Sequence, residues 1–197
     1  MDSMKMIWPN QLISNCLGKL EIMTVSSCTN LTNIGLPNML KTLPNLKHLK
    51  IEKCGSIEEV FEIQGTNNVE QSCDIAAVEL ISLELSNLEK LKHMWSMNSQ
   101  GIITFAKLRT IFISGCSSLK SVFPTSVAKT FMQLEKLWIM DCATAEEIVA
   151  KEEGIVTTTL FVFPQLTTLK LQNFPELKSF YLGNHTLEWL SLKDLYI

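Results

Sequence analysis

The chain has 197 residues, 46% of them hydrophobic and 19% charged, with a formal net charge of −3 at pH 7. That balance describes a folded core rather than a disordered chain, and the mild acidity argues against nucleic acid, whose binders carry a basic footprint. No run of about 18 or more apolar residues occurs, so no transmembrane helix is predicted, and the first residues lack the basic segment and apolar stretch of a secretory signal. The expectation is a protein inside the cell, cytoplasmic or also nuclear, neither secreted nor bound to a membrane.

Taken in order, the chain reads as copies of one unit. It opens inside a copy, because Met4, Ile7 and Trp8 match Leu91, Met94 and Trp95 further on. The first whole copy runs Leu20, Met23, Val25, Cys28, Leu31, Ile34, and the second Leu46, Leu49, Ile51, Cys54, Ile57, Val60. The third runs Leu80, Leu83, Leu85, Leu88, Leu91, Met94, and the fourth Leu108, Ile111, Ile113, Cys116, Leu119, Val122. The fifth, Leu134, Leu137, Ile139, Cys142, Ala145, Ile148, shows the design most clearly: one step of two residues, then steps of three. Leu166, Leu169, Leu171, Phe174, Leu177 and Phe180 make the sixth, and Leu187, Leu190, Leu192 and Leu195 begin a seventh.

The spacing is neither a helix face nor a long alternating strand. Its anchor leucines lie 21 to 34 residues apart, around the 20–29-residue period of leucine-rich repeats. Residues two apart, such as Leu137 and Ile139, point the same way from a short strand, and stacked copies make a parallel sheet backed by the later apolar places. The predicted fold is therefore an α/β leucine-rich-repeat solenoid. It is curved, with short parallel strands on the concave face and an irregular or short-helical convex face. Pro37 and Pro124 open stretches able to form helical turns there. Residues 1–197 are read as one domain of about six complete repeats with a partial repeat at each end. Polar excess near 65–74 and 151–159 is assigned to surface loops. The apolar ends, Met6 to Trp8 and Leu195 to Ile197, suggest either a piece of a longer protein or end-to-end association.

Four of the six cysteines, Cys28, Cys54, Cys116 and Cys142, fall in one slot of the unit. Buried structural thiols account for them better than a metal site or disulfides, and no zinc spacing is present. Cys16 and Cys73 stand outside that slot. Catalysis is not expected: the three histidines, His48, His93 and His185, come with no nucleophile elbow and no H-E-x-x-H motif. No metal and no cofactor is predicted.

The segments LKHLKIEKCGSIEEVF (Leu46 to Phe61) and LRTIFISGCSSLKSVF (Leu108 to Phe123), with the lead-ins LPNL, FAKL, FMQL and FPQL, carry a resemblance. The chain resembles the leucine-rich-repeat region of plant intracellular immune receptors, the nucleotide-binding, leucine-rich-repeat (NLR) disease-resistance proteins with an N-terminal coiled coil. The resemblance implies a scaffold that senses a pathogen effector or a modified host protein and restrains the receptor's own nucleotide-binding domain. No phosphate loop of the form G-x-x-x-x-G-K-[ST] occurs in this chain, so it does not itself exchange nucleotide. Two other readings stay open. One is a stand-alone adaptor, such as the substrate-recognition part of a ubiquitin ligase. The other is a secreted recognition module, kept alive by the tripeptides Asn30-Leu31-Thr32 and Asn184-His185-Thr186. Against the latter, the ninth place carries Cys, Leu or Phe where extracellular plant repeats usually carry asparagine.

With the anchor leucine as the first place, side chains between the core positions of each strand face the partner. The fifth place predicts Thr24, Lys50, Glu84, Phe112, Trp138, Lys170 and Ser191 there, with Phe112 and Trp138 on neighbouring strands. Met140 extends the patch, Trp189 is placed in the third position of the seventh strand, and His48 adds an exposed ring. Lys170 is expected to lie on Trp138 as a cation–π neighbour. Charges of both signs suit a protein partner better than a phosphate backbone. The pairs Glu58–Glu59, Glu146–Glu147 and Glu152–Glu153 read as a solvated outer face, or as a match for a basic surface on another domain. A second aromatic column at the sixteenth place, Phe61, Trp95, Phe123 and Tyr181 (with Trp8 in the partial unit), reads as internal packing.

Overall fold

A computed structural model of the chain describes residues 5, 7, 17–32, 34, 43–61, 76–95, 103–151 and 158–197. In chain order the strands are β1 (Ile22–Ser26), β2 (His48–Glu52), β3 (Glu59–Phe61), β4 (Ala76–Ala77), β5 (Ser82–Ser86), β6 (His93–Trp95), β7 (Ile103–Thr104) and β8 (Thr110–Ser114). They continue as β9 (Ser121–Pro124), β10 (Lys136–Met140), β11 (Glu147–Ala150), β12 (Thr159–Val162), β13 (Thr168–Gln172), β14 (Ser179–Tyr181), β15 (His185–Glu188) and β16 (Asp194–Tyr196). The helix α1 (Thr125–Ala128) is a single turn.

Seven strands make one parallel sheet in the order β1-β2-β5-β8-β10-β13-β16. Their partners match place for place: Leu49 lies between Met23 and Leu83, Ile139 between Ile113 and Leu171, and Leu169 between Leu137 and Leu195. Alternation does the sorting. Fourth- and sixth-place residues such as Leu137 and Ile139 are buried, while the third, fifth and seventh places of the same strands point outward. Full burial of such a side chain contributes about 1.5–3 kcal/mol.

The steps of three in the sequence are tight turns. Twelfth-place N–H groups donate to ninth-place carbonyls in unit after unit, as from Leu31 to Cys28, Ile57 to Cys54, Leu119 to Cys116 and Ala145 to Cys142. Most anchor leucines likewise donate to the residue three places before them, as from Leu46 to Leu43, Leu108 to Phe105, Leu134 to Phe131 and Leu166 to Phe163. A unit is thus a strand bracketed by two turns, and its turn leucines close the core from behind.

At the eighth place the backbone turns left-handed in each of the first six units: Ser27, Lys53, Asn87, Gly115, Asp141 and Asn173 all have φ between 53° and 66°. The N–H groups of the first five donate to the seventh-place carbonyl of the next unit, from Ser27 to Glu52 and on to Asp141 with Gln172. Asn, Asp and Gly tolerate this conformation, whereas other residues are strained by about 1–2 kcal/mol. Lys53→Asn is therefore expected to stabilise the chain by about 0.5–1 kcal/mol, read as a higher urea midpoint. An unchanged or lower midpoint would show that the lysine stem contributes more than the strain removes.

The structure departs from expectation in two respects. Among the described residues the side behind the sheet carries little helix: apart from α1, they form short parallel ladders, β3-β6, β9-β11-β14, β4-β7 and β12-β15. The segments EVF, HMW, SVFP, EIVA and SFY are rich in β-branched and aromatic residues, which favour strands, and the fold is one of parallel strands with almost no helix. Pro124 does precede α1; the Pro37 stretch, the Gly65–Asp74 loop, Glu152–Glu153, Met4, Trp8, Cys16 and Cys73 lie outside the described residues.

The seventh repeat is shifted by five residues from the predicted register. Leu195 pairs with Leu169 and Tyr196 with Lys170, which makes Leu192, not Leu187, the anchor. Leu192 donates to Trp189 as Leu166 does to Phe163. Leu187 instead pairs with Phe161 in the β12–β15 ladder, and Leu190, predicted as core, is 72% exposed. The stretch TLEWLSLKDLYI fits two registers, and the bulky Trp189 selects the one that puts it in the lead-in slot filled elsewhere by Phe105, Phe131 and Phe163.

Candidate protein-recognition face

The outward fifth place reads Thr24, Lys50, Glu84, Phe112, Trp138, Lys170 and Tyr196 across seven neighbouring strands. Phe112 and Trp138 pack edge to face with ring centroids 6.3 Å apart and planes at 68°. Both rings are half-buried on the outer surface of the sheet, and Met140, also half-buried, stands two residues further along the strand. These side chains come together because parallel register sets equal places about 4.8 Å apart. The pair therefore presents one continuous apolar surface.

The first half of the face is charged but internally satisfied. Lys50 lies 2.7 Å from Glu84 and 3.0 Å from Glu52, and these two carboxylates hold its ammonium above the usual lysine range. His48 is exposed on the same strand. The second half differs: Lys136 and Lys170 have no ion-pair partner among the described residues, and Lys170 makes no cation–π contact with Trp138. Nearby acids are already engaged. Asp141 accepts from Asn173 at 2.6 Å and from Ser114 at 3.4 Å, and Asp194 accepts from Thr168 at 3.4 Å.

Trp189 leaves the predicted patch. It sits in the lead-in slot, 6.1 Å from Phe180, packed against the core. Tyr196 takes the position on the face that the shifted register vacates, and is 54% exposed. It was missed for want of the lead-in comparison, since the Trp189–Leu192 spacing repeats that of Phe163–Leu166. The indole nitrogens of Trp95, Trp138 and Trp189 are buried with no acceptor among the described residues. Because Trp95 is interior and Trp189 is partly buried against the core, that property marks packing rather than a ligand.

The sixteenth-place column is interior. Phe61, Trp95, Phe123 and Tyr181 are buried, with Phe61 stacked on Trp95 at 5.2 Å. Glu58 and Glu146 meet lysines of the following unit, Lys92 at 2.8 Å and Lys178 at 2.6 Å, and these partners hold both carboxyls below the usual range. The three histidines lie apart, His48 on the sheet, His93 on β6 and His185 on β15. His185 is half-buried against Tyr181 and Phe161. Among the described residues no group of three or more His, Cys, Asp or Glu side chains could hold a metal ion, and no helix is long and apolar enough to cross a membrane.

Cys28, Cys54, Cys116 and Cys142 are free thiols, and those of Cys54, Cys116 and Cys142 approach seventh-place carbonyls of their own units. Burial pushes Cys116 up to about 12 and Cys142 up to about 11 from an ordinary value of 9.0. Above that ordinary value the unfolded chain loses these protons while the folded chain keeps them, so stability falls with rising pH, by about 1.4 kcal/mol per pH unit for each thiol. The loss runs up to the folded-state values. Urea midpoints taken across this range should decline steadily, and both thiols should resist maleimide until the chain unfolds. A flat profile with rapid labelling would show that the thiols are accessible.

A family model described as plant disease resistance protein RPS2-like, leucine-rich repeats, matches residues 1–143. The chain belongs to this family of plant disease resistance repeats. No curated protein and no solved structure matches it. Beyond the matched residues β13 and β16 continue the sheet in the same parallel register. Leucine-rich repeats generally mediate protein–protein interaction, so this family makes the chain a recognition scaffold in plant immunity and accords with an outer face built of aromatics and mixed charge.

Proposed function

We propose that the chain is the sensing and autoinhibitory repeat region of an intracellular NLR-type plant immune receptor, folded as a leucine-rich-repeat solenoid. It engages a pathogen effector or host protein, and the receptor's own nucleotide-binding domain, through the outer face of the seven-stranded sheet. The observation that carries this reading is the Phe112–Trp138 pair standing on that face, since tryptophan is enriched among the side chains that dominate protein interfaces. Four free cysteines suit a reducing compartment, which supports a cytoplasmic or nuclear site. The reading is tested by co-immunoprecipitation from plant tissue challenged with a pathogen, comparing the chain with Trp138→Ala. A partner held by the first and lost by the second is expected; a partner held equally by both would move recognition off this face. For autoinhibition, the chain supplied in trans should quieten a receptor lacking its repeats, and an unquenched response would leave recognition alone.

A further inference from the structure

The two halves of the face differ in what they leave unsatisfied. Around Lys50 the charges close on one another, with Glu52 and Glu84 both on its ammonium. Around Trp138 they do not. Lys136 stands two residues before it on β10 and Lys170 directly beside it on β13, both without an ion-pair partner among the described residues. From the strand spacing and rise, the two lysine Cα atoms lie roughly 8 Å apart on a diagonal beside the indole, close enough for long side chains to converge on one carboxylate. Phe112 and Met140 supply apolar surface on the other sides of the ring.

Resting on the recognition role of this face, we propose that its partner is an acidic protein segment with an aromatic or branched aliphatic side chain next to its carboxylates. The carboxylates lie between Lys136 and Lys170, and the apolar side chain covers Phe112, Trp138 and Met140. Charge complementarity sets the direction of the segment: its acidic end lies over β10 and β13, away from Glu84 and Glu52, which repel it in the other orientation.

A random peptide library displayed on phage and selected on the immobilised full chain tests this. The expected binders carry Asp or Glu flanking an aromatic or aliphatic residue. They should bind at least about tenfold more weakly to the double variant Lys136→Glu, Lys170→Glu, and added salt should weaken binding to the unaltered chain. Protection of Cys116 and Cys142 from maleimide reports that each variant is folded; should the double reversal not fold, Lys136→Gln with Lys170→Gln carries the same expectation at smaller amplitude. Binders lost on Trp138→Ala yet indifferent to charge reversal would overturn the acidic chemistry and leave the face in place. Binders indifferent to both changes, or no binders at all, would overturn the acidic segment and the face together.

Discussion

Trp138→Ala should cost the chain about 2 kcal/mol or more of partner affinity, roughly thirtyfold in Kd, while leaving it folded. The separation of the two effects follows from alternation along β10. Leu137 and Ile139 are fully buried on one side, and Trp138 projects from the other, with Phe112 as its aromatic neighbour. Truncation removes the largest apolar surface on the face, and within the fold it removes an edge-to-face contact worth about 0.5–1.5 kcal/mol beyond the area that the half-buried ring covers, without opening the interior. Titration of a partner together with urea unfolding distinguishes the two. A variant that unfolds outright would make the ring part of the core, and one that binds normally would remove it from the interface.

Phe105→Ala should have the opposite profile, losing about 3–5 kcal/mol of stability. Phe105 is the lead-in residue of the fourth unit and has no solvent exposure. Its ring lies 5.6 Å from Phe61, 6.0 Å from Trp95 and 6.5 Å from Phe131. It is thus the junction between the lead-in and sixteenth-place columns, and alanine there opens a cavity lined by rings that cannot collapse without shifting neighbouring units. Since domains are stable by only about 5–15 kcal/mol, the variant should unfold at markedly lower urea, followed by tryptophan fluorescence. A loss under about 1.5 kcal/mol would show that the units on either side yield independently, as weakly coupled repeats do.

The sheet was readable from the sequence because its two inward places per strand are large, aliphatic and two residues apart. Leu49 with Ile51 and Leu137 with Ile139 admit one orientation only. Its outward row was readable for the same reason as far as Lys170. Beyond that point TLEWLSLKDLYI satisfies the pattern twice, and only the backbone bond from Leu192 to Trp189 decides between the two. The back of the molecule was harder. Segments of three or four residues, such as EVF and SFY, are too short to display a period, and whether they extend or coil depends on pairing with the next unit, which is a tertiary effect. The same holds for His185: nothing local announces that Tyr181 and Phe161 will flank its ring.

The segments between successive anchors differ in length, yet strand partners remain matched residue for residue across all seven units. Spacing of the displayed side chains is therefore insulated from what happens in the connections. Outward positions can be exchanged singly, without retuning the interior, so a new binding preference is reachable by successive point changes along a fixed grid. A lineage facing changing pathogens gains from that arrangement a surface that can be rewritten while the scaffold beneath it stays put.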